Sequence, residues 1–120
     1  MTMAPAPSPL RMDLPEEISP TDTARALADG SIILLDCREP DEFAICHIEG
    51  AKLLPLGEWM SRFPEAFPAK DAAIVVHCHH GMRSLHATRW LRQQGHTNVR
   101  SMAGGIHAWS RDVDPSVPRY

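Results

Sequence analysis

The sequence predicts a single α/β domain with a parallel sheet and crossover helices. Two continuous apolar runs, residues 32–35 and 72–76, have the pattern of strands buried on both faces. Segments with helical start and stop signals alternate with such runs, as in βαβ units. At 120 residues the chain has room for one hydrophobic core, and no internal repeat divides it.

In chain order, Glu17-Ile18 is a short first strand, closed by Ser19-Pro20. A helix follows from Thr21 or Asp22 through Ala24, Ala26, Leu27 and Ala28, and Gly30 marks its C-terminal end. The 32–35 strand ends at Asp36-Cys37-Arg38, where polar groups begin. Pro40 opens a short helix, since proline is tolerated in a first turn. Residues 51–54 form a short strand and residues 57–63 a helix. The strand over 72–77 leads through a loop to a helix from Ser84 to Gln94, with Leu85, Thr88 and Leu91 on one face and Gly95 as its stop. Residues 99–102 are a further strand, Gly104-Gly105 leads into a last helix through Trp109, and residues 114–120 are an extended tail. The domain proper is expected over residues 14–113.

Composition narrows the partners. Hydrophobic residues make up 43% and charged residues 22%, and the formal net charge is −3. No basic stripe offsets that charge, so nucleic acid is not expected as a partner. No stretch approaches the ~20 apolar residues of a membrane span. Residues 1–13 mix Ala, Pro and Ser and read as a loosely attached tail rather than a secretory signal, which suggests the cytoplasm. Cys37, Cys46 and Cys78 are odd in number and are expected as free thiols.

The informative segment runs from Val75 to Ser84. It joins the end of a buried strand to a helix N-terminus, where α/β proteins place ligands. The strand delivers Cys78 to the sheet edge, and the helix aims its free N–H groups and positive dipole end back at the loop. Gly81 permits the sharp turn of an anion-binding nest. A thiol there loses its proton more easily than a free cysteine. Arg83 adds a permanent charge suited to sulfate-like or carboxylate groups, and His79 or His80 adds donors.

Three motifs then resemble the rhodanese-like domains, in the stand-alone single-domain bacterial form. Residues 34–43 with His47-Ile48-Glu49-Gly50-Ala51 are similar to the family's N-terminal signature. Cys78-His79-His80-Gly81-Met82-Arg83-Ser84 is similar to its catalytic loop, and Gly104-Gly105-Ile106 with Ala108-Trp109 to its C-terminal signature. The ordered set spans roughly residues 16–112. The resemblance implies about five mostly parallel strands flanked by helices. It implies a sulfurtransferase in which Cys78 accepts sulfur from an anionic donor such as thiosulfate and passes the persulfide sulfur to cyanide or a thiol. Backbone N–H groups of His79, His80, Gly81, Met82 and Arg83 would hold the substrate. No metal or organic cofactor is implied. A protein partner in a sulfur relay is the alternative, and a monomer is expected.

Two positions depart from the family pattern. Cys46 stands where glycine is usual, which puts a left-handed backbone there in doubt, and Cys37 stands where an aliphatic residue is usual. Both read as buried small hydrophobes; a resolving role would require a disulfide to Cys78 on oxidation. Asp36, Arg38 and Glu42 read as a polar cluster bracing the loop, with Ser84 in support and His47 beside them. Trp90, Trp109 and Met102 read as packing residues and His86 as a surface residue. The run His77-Cys78-His79-His80 lacks paired metal-ligand spacing, and His77 ends a strand and faces the sheet. A cysteine phosphatase or arsenate reductase is disfavoured because four residues separate Cys78 from Arg83, one fewer than such loops hold.

Overall fold

Alternation of side chains along the two apolar strands organises the molecule. A computed structural model describes residues 14–120, so the expected tail over 1–13 lies outside the described residues. Strands are β1 (Glu17–Ile18), β2 (Ile33–Asp36), β3 (Lys52–Leu53), β4 (Ile74–His77) and β5 (Val99–Met102). Helices are α1 (Pro20–Ala28), α2 (Pro40–Ile45), α3 (Trp59–Ala66), α4 (Met82–Gln93) and α5 (Gly105–Asp112), with a 3-10 turn over Leu56–Glu58. The sheet order is β1-β5-β4-β2-β3, and every neighbouring pair is parallel.

β4 lies at the centre and is wholly buried. Successive residues of a strand point to opposite faces. Leu35 and Val76 accordingly join one cluster with Trp59, Phe63 and Leu91 from α3 and α4. Leu34 and Val75 join another with Ile48, Met102, Ile106 and Trp109, over which Ala24 and Leu27 of α1 pack. Each fully buried aliphatic side chain contributes ~1.5–3 kcal/mol. Both faces are therefore apolar, which is why these strands read as unbroken runs.

Several boundaries differ from the expectation. α1 begins at Pro20 because the Ser19 hydroxyl accepts from the Asp22 N–H at 3.1 Å and proline suits the first helical position. α3 continues through Pro64 to Ala66. α4 starts at Met82, two residues before Ser84, because Gly81 takes φ 103° as its N-cap. Residues 114–120 are not an extended tail but fold back onto the domain. Val117 is buried in the second cluster, and the Ser110 hydroxyl donates to its carbonyl at 2.6 Å. No helix among the described residues is long and apolar enough to cross a membrane.

Candidate active site

Strand register brings two sulfurs together. Asp36 pairs with His77 across β2 and β4, so Cys37 and Cys78 follow as neighbours at the carboxyl ends of the two strands. The Cys37 N–H donates to the His77 carbonyl at 3.0 Å, and both thiols sit in the same cluster at 1% exposure. Cys78 then meets the start of α4. Its Sγ accepts from the Gly81 N–H at 3.1 Å and the Ser84 N–H at 3.4 Å. The Ser84 hydroxyl lies 3.4 Å from Sγ and 2.7 Å from the hydroxyl of Ser101 on β5.

These donors hold the Cys78 thiol far below its ordinary value, at about 4. The Cys37 S–H is the largest contributor; the Ser84 hydroxyl and the N–H groups of Ser84 and Gly81 add to it, and burial opposes them. Cys37 is pushed far up in return, because its proton is engaged by Cys78 and the site is buried. The pair therefore holds one proton near neutrality, on Cys37. In the thiolate state Ser84 donates to sulfur and accepts from Ser101. A thiolate held this way is a nucleophile whose charge is already solvated by fixed donors.

Beneath the loop, Asp36 and Arg38 form a fully buried ion pair with Nε–Oδ1 at 2.9 Å and Nη2–Oδ2 at 2.7 Å. Arg38 also donates to the Cys46 carbonyl and to the Tyr120 hydroxyl, each at 2.7 Å. Burial pulls its basicity down, but these partners outweigh it and leave Arg38 more basic than usual. Cys46 is extended at φ −162°, so no glycine is required there. Its thiol donates to the Pro118 carbonyl at 3.3 Å. His77 faces the sheet as expected. Its Nε2 lies 3.6 Å from Asp36, beyond hydrogen-bond reach, and burial keeps the ring neutral.

The loop's only arginine is not free to meet an anion. Arg83 makes a bidentate pair with Glu42, at 2.7 and 2.9 Å. Arg83 holds the Glu42 carboxyl down to about 2, with lesser help from the Glu39 N–H and the Tyr120 hydroxyl. Glu42 is thus a partner of the rim arginine, in addition to bracing the loop. Tyr120 donates to Glu42 at 2.8 Å and stacks on the His79 ring with centroids 3.9 Å apart. Its phenol is pushed up to about 12, chiefly by burial.

His79 is half-buried, whereas His80 and Met82 are exposed at the rim. His47 stands outside the cluster, exposed and stacked on Phe43. Trp109 and Met102 are buried packing residues, and Trp90 packs partly against the first cluster. His86 is a surface residue. The Gly104-Gly105 pair at the start of α5 lies against the loop. The N–H groups of Ile106 and His107 donate to the carbonyls of Cys78 and His79 at 2.8 and 3.1 Å. A Cβ on Gly105 would stand 2.4 Å from the His79 oxygen, with φ at +62°, so only glycine fits.

Four contributors escaped the sequence reading: the Cys37 contact, Ser101, His107 and Tyr120. Ser101 alone left a local trace, as a polar residue inside the run 99–102.

The rhodanese-like domain model matches residues 19–112. Rhodanese-like/PpiC domain-containing protein 12, chloroplastic, of Arabidopsis thaliana is 38% identical over 72% of this chain and 30% of its own length. Adenylyltransferase and sulfurtransferase MOCS3 of Drosophila virilis is 34% identical over 88% of this chain and 25% of its own. The chain thus spans less than a third of the length of these curated relatives. Among solved structures, a rhodanese-related protein from Thermoplasma volcanium matches with a TM-score of 0.73 and 27% identity, covering 88% of this chain and 100% of that one. The human single-domain sulfurtransferase TSTD1 matches with a TM-score of 0.72 and 28% identity, over 82% of this chain and 97% of that one.

Proposed function

The chain belongs to the rhodanese-like domain family, and from that membership we propose that it is a sulfurtransferase carrying sulfane sulfur as a persulfide on Cys78. The observation that carries this reading is the Cys78 sulfur at the start of α4, with two backbone N–H groups and two side-chain donors directed at it. In the first half-reaction the thiolate attacks the outer sulfur of an anionic donor such as thiosulfate. The new S–S bond forms as the donor's S–S bond breaks, and sulfite leaves with the electron pair. In the second, cyanide or a thiolate attacks the outer persulfide sulfur, and Cys78 departs as thiolate. Splitting the transfer in two lowers each barrier. Both steps are two-electron displacements at sulfur that balance without a redox cofactor.

The donors on Cys78 serve both states: they stabilise the thiolate as leaving group and orient the inner persulfide sulfur. Loop residues 79–83 contribute backbone N–H groups to the donor and to the bound sulfur. The resting state requires a reduced thiol, which suits the cytoplasm. A phosphatase reading is weaker. The rim guanidinium is engaged by Glu42 rather than open to a phosphate, and the loop is short.

Intact mass after thiosulfate treatment tests the proposal. One added sulfur is expected on the wild type, removable by cyanide and absent from Cys78→Ser. No addition to an otherwise free Cys78 overturns it. A second reading, sulfur relay to a protein, is favoured by the relatives named adenylyltransferase and sulfurtransferase, in which such a domain is one part of a longer chain. Persulfide acquired only from a protein donor, with negligible thiosulfate–cyanide turnover, selects that reading.

A further inference from the structure

Beside the sulfur site, two parts of the chain bring three imidazoles together. His79 and His80 come from the loop after β4, and His107 from the first turn of α5. One ring nitrogen of each lies within 4.8 Å of the others. Ring centroids are 3.9 Å apart for His79 and His80, and 5.0 Å for His80 and His107. The docking of α5 under the loop fixes this convergence, because the His107 N–H donates to the His79 carbonyl.

Two of these rings each leave a nitrogen with nothing to bind. Nε2 of His79 and Nδ1 of His107 are buried without a hydrogen-bond partner. An orphaned buried polar atom costs ~1–3 kcal/mol, so two on rings of one such cluster call for an occupant. The His79 ring is clamped by the Tyr120 ring at 3.9 Å and turned towards the Tyr120 main chain. An outer contact of that kind orients a histidine ligand and fixes which nitrogen carries its lone pair. No cysteine, aspartate or glutamate among the described residues joins the group, so the donor set is all imidazole and separate from the Cys78 sulfur.

We propose that His79, His80 and His107 form a binding site for a borderline divalent cation of the zinc type. Neutral imidazoles suit such ions, and three leave a fourth position open to water or a small anion. Zinc–nitrogen bonds of ~2.0–2.1 Å place tetrahedral ligand atoms ~3.4 Å apart. The His79 and His107 rings are the farthest apart, with centroids at 6.4 Å, so closure from 4.8 Å requires side-chain rotation on both segments as well as at the exposed His80. The run from His77 to His80 does not form the set by itself: His77 is buried beside Asp36, and the proposed third ligand comes from a helix 27 residues after His80. The proposal does not depend on sulfur transfer.

The test uses the untagged, reduced full chain with Co²⁺ as spectroscopic probe and Zn²⁺ as competitor. Expected are tetrahedral Co²⁺ bands without sulfur-to-metal charge transfer, displaced by Zn²⁺ at one equivalent. His107→Ala and His107→Gln, each checked for fold by circular dichroism, should weaken Zn²⁺ binding at least about tenfold. Cys78→Ser and the surface control His86→Ala should bind as the wild type does. Absence of binding, wild-type affinity in both folded His107 variants, or a charge-transfer band lost in Cys78→Ser would each overturn the proposal.

Discussion

Replacing Cys37 with alanine removes the thiol proton directed at Cys78 and leaves the Gly81 and Ser84 donors in place. A hydrogen bond to a charged acceptor contributes ~1.5–3 kcal/mol. At ~1.4 kcal/mol per pKa step, the Cys78 midpoint should rise by ~1–2. In the wild type the thiolate persists until the pH falls through about 4; the variant protonates earlier on the way down, still below neutrality. Reactivity is therefore lost in mildly acidic solution and barely altered at neutral pH. The assay is the rate of iodoacetamide alkylation against pH, with chelator present and Cys78 followed by peptide mass. Cys37→Ser keeps a donor and should keep the low midpoint. An unchanged midpoint in Cys37→Ala refutes the reasoning, and so does an equal rise in both variants, which would trace the effect to packing.

Three further perturbations address the surroundings. Gly105→Ala forces a side chain into the loop carbonyls at positive φ; strain and overpacking together should destabilise by ~2–5 kcal/mol, and an unchanged Tm in calorimetry would contradict the close approach. Glu42→Gln releases Arg83 at the rim. For a part-exposed pair worth ~0.5–1 kcal/mol, the KM for thiosulfate should fall about two- to fivefold, and a higher KM would show that the paired arginine is the useful one. Tyr120→Ala removes the His79 stack and the hydroxyl bonds to Arg38 and Glu42. It should lower Tm and speed alkylation of Cys78; equal rates would mean that the tyrosine does not cover the approach to the sulfur.

The central strands and the loop between them were legible because their signals are local. An unbroken apolar run means burial on both faces, and Cys78, Gly81 and Ser84 all act within seven residues of that strand's end. Helix boundaries slipped where one residue had two readings. Pro20 ends an extended segment or opens a helix, and the Ser19 cap decides. Pro64 removes one N–H, yet α3 continues through it, with Met60, four residues earlier, on the exposed face. What stayed hidden depends on pairing between distant segments. Cys37 reads as a small hydrophobe until β2 lies beside β4, and Ser101 as an oddity until β5 lies on the other side. Tyr120 and His107 carry no local signal; each matters only because the chain returns to the loop.

The two ion pairs near the loop differ in their contact with water, and this separates how they respond to ionic strength. Asp36 and Arg38 are fully enclosed, so dissolved counter-ions cannot come between them. Arg83 and Glu42 are partly open, within reach of a screening atmosphere whose thickness is ~8 Å at physiological ionic strength. Added salt should thus weaken the electrostatics that greet an incoming anion while leaving untouched the brace that ties the end of β2 to Cys46 and the C-terminal tyrosine. The foundation is salt-proof and the doorway is salt-tuned.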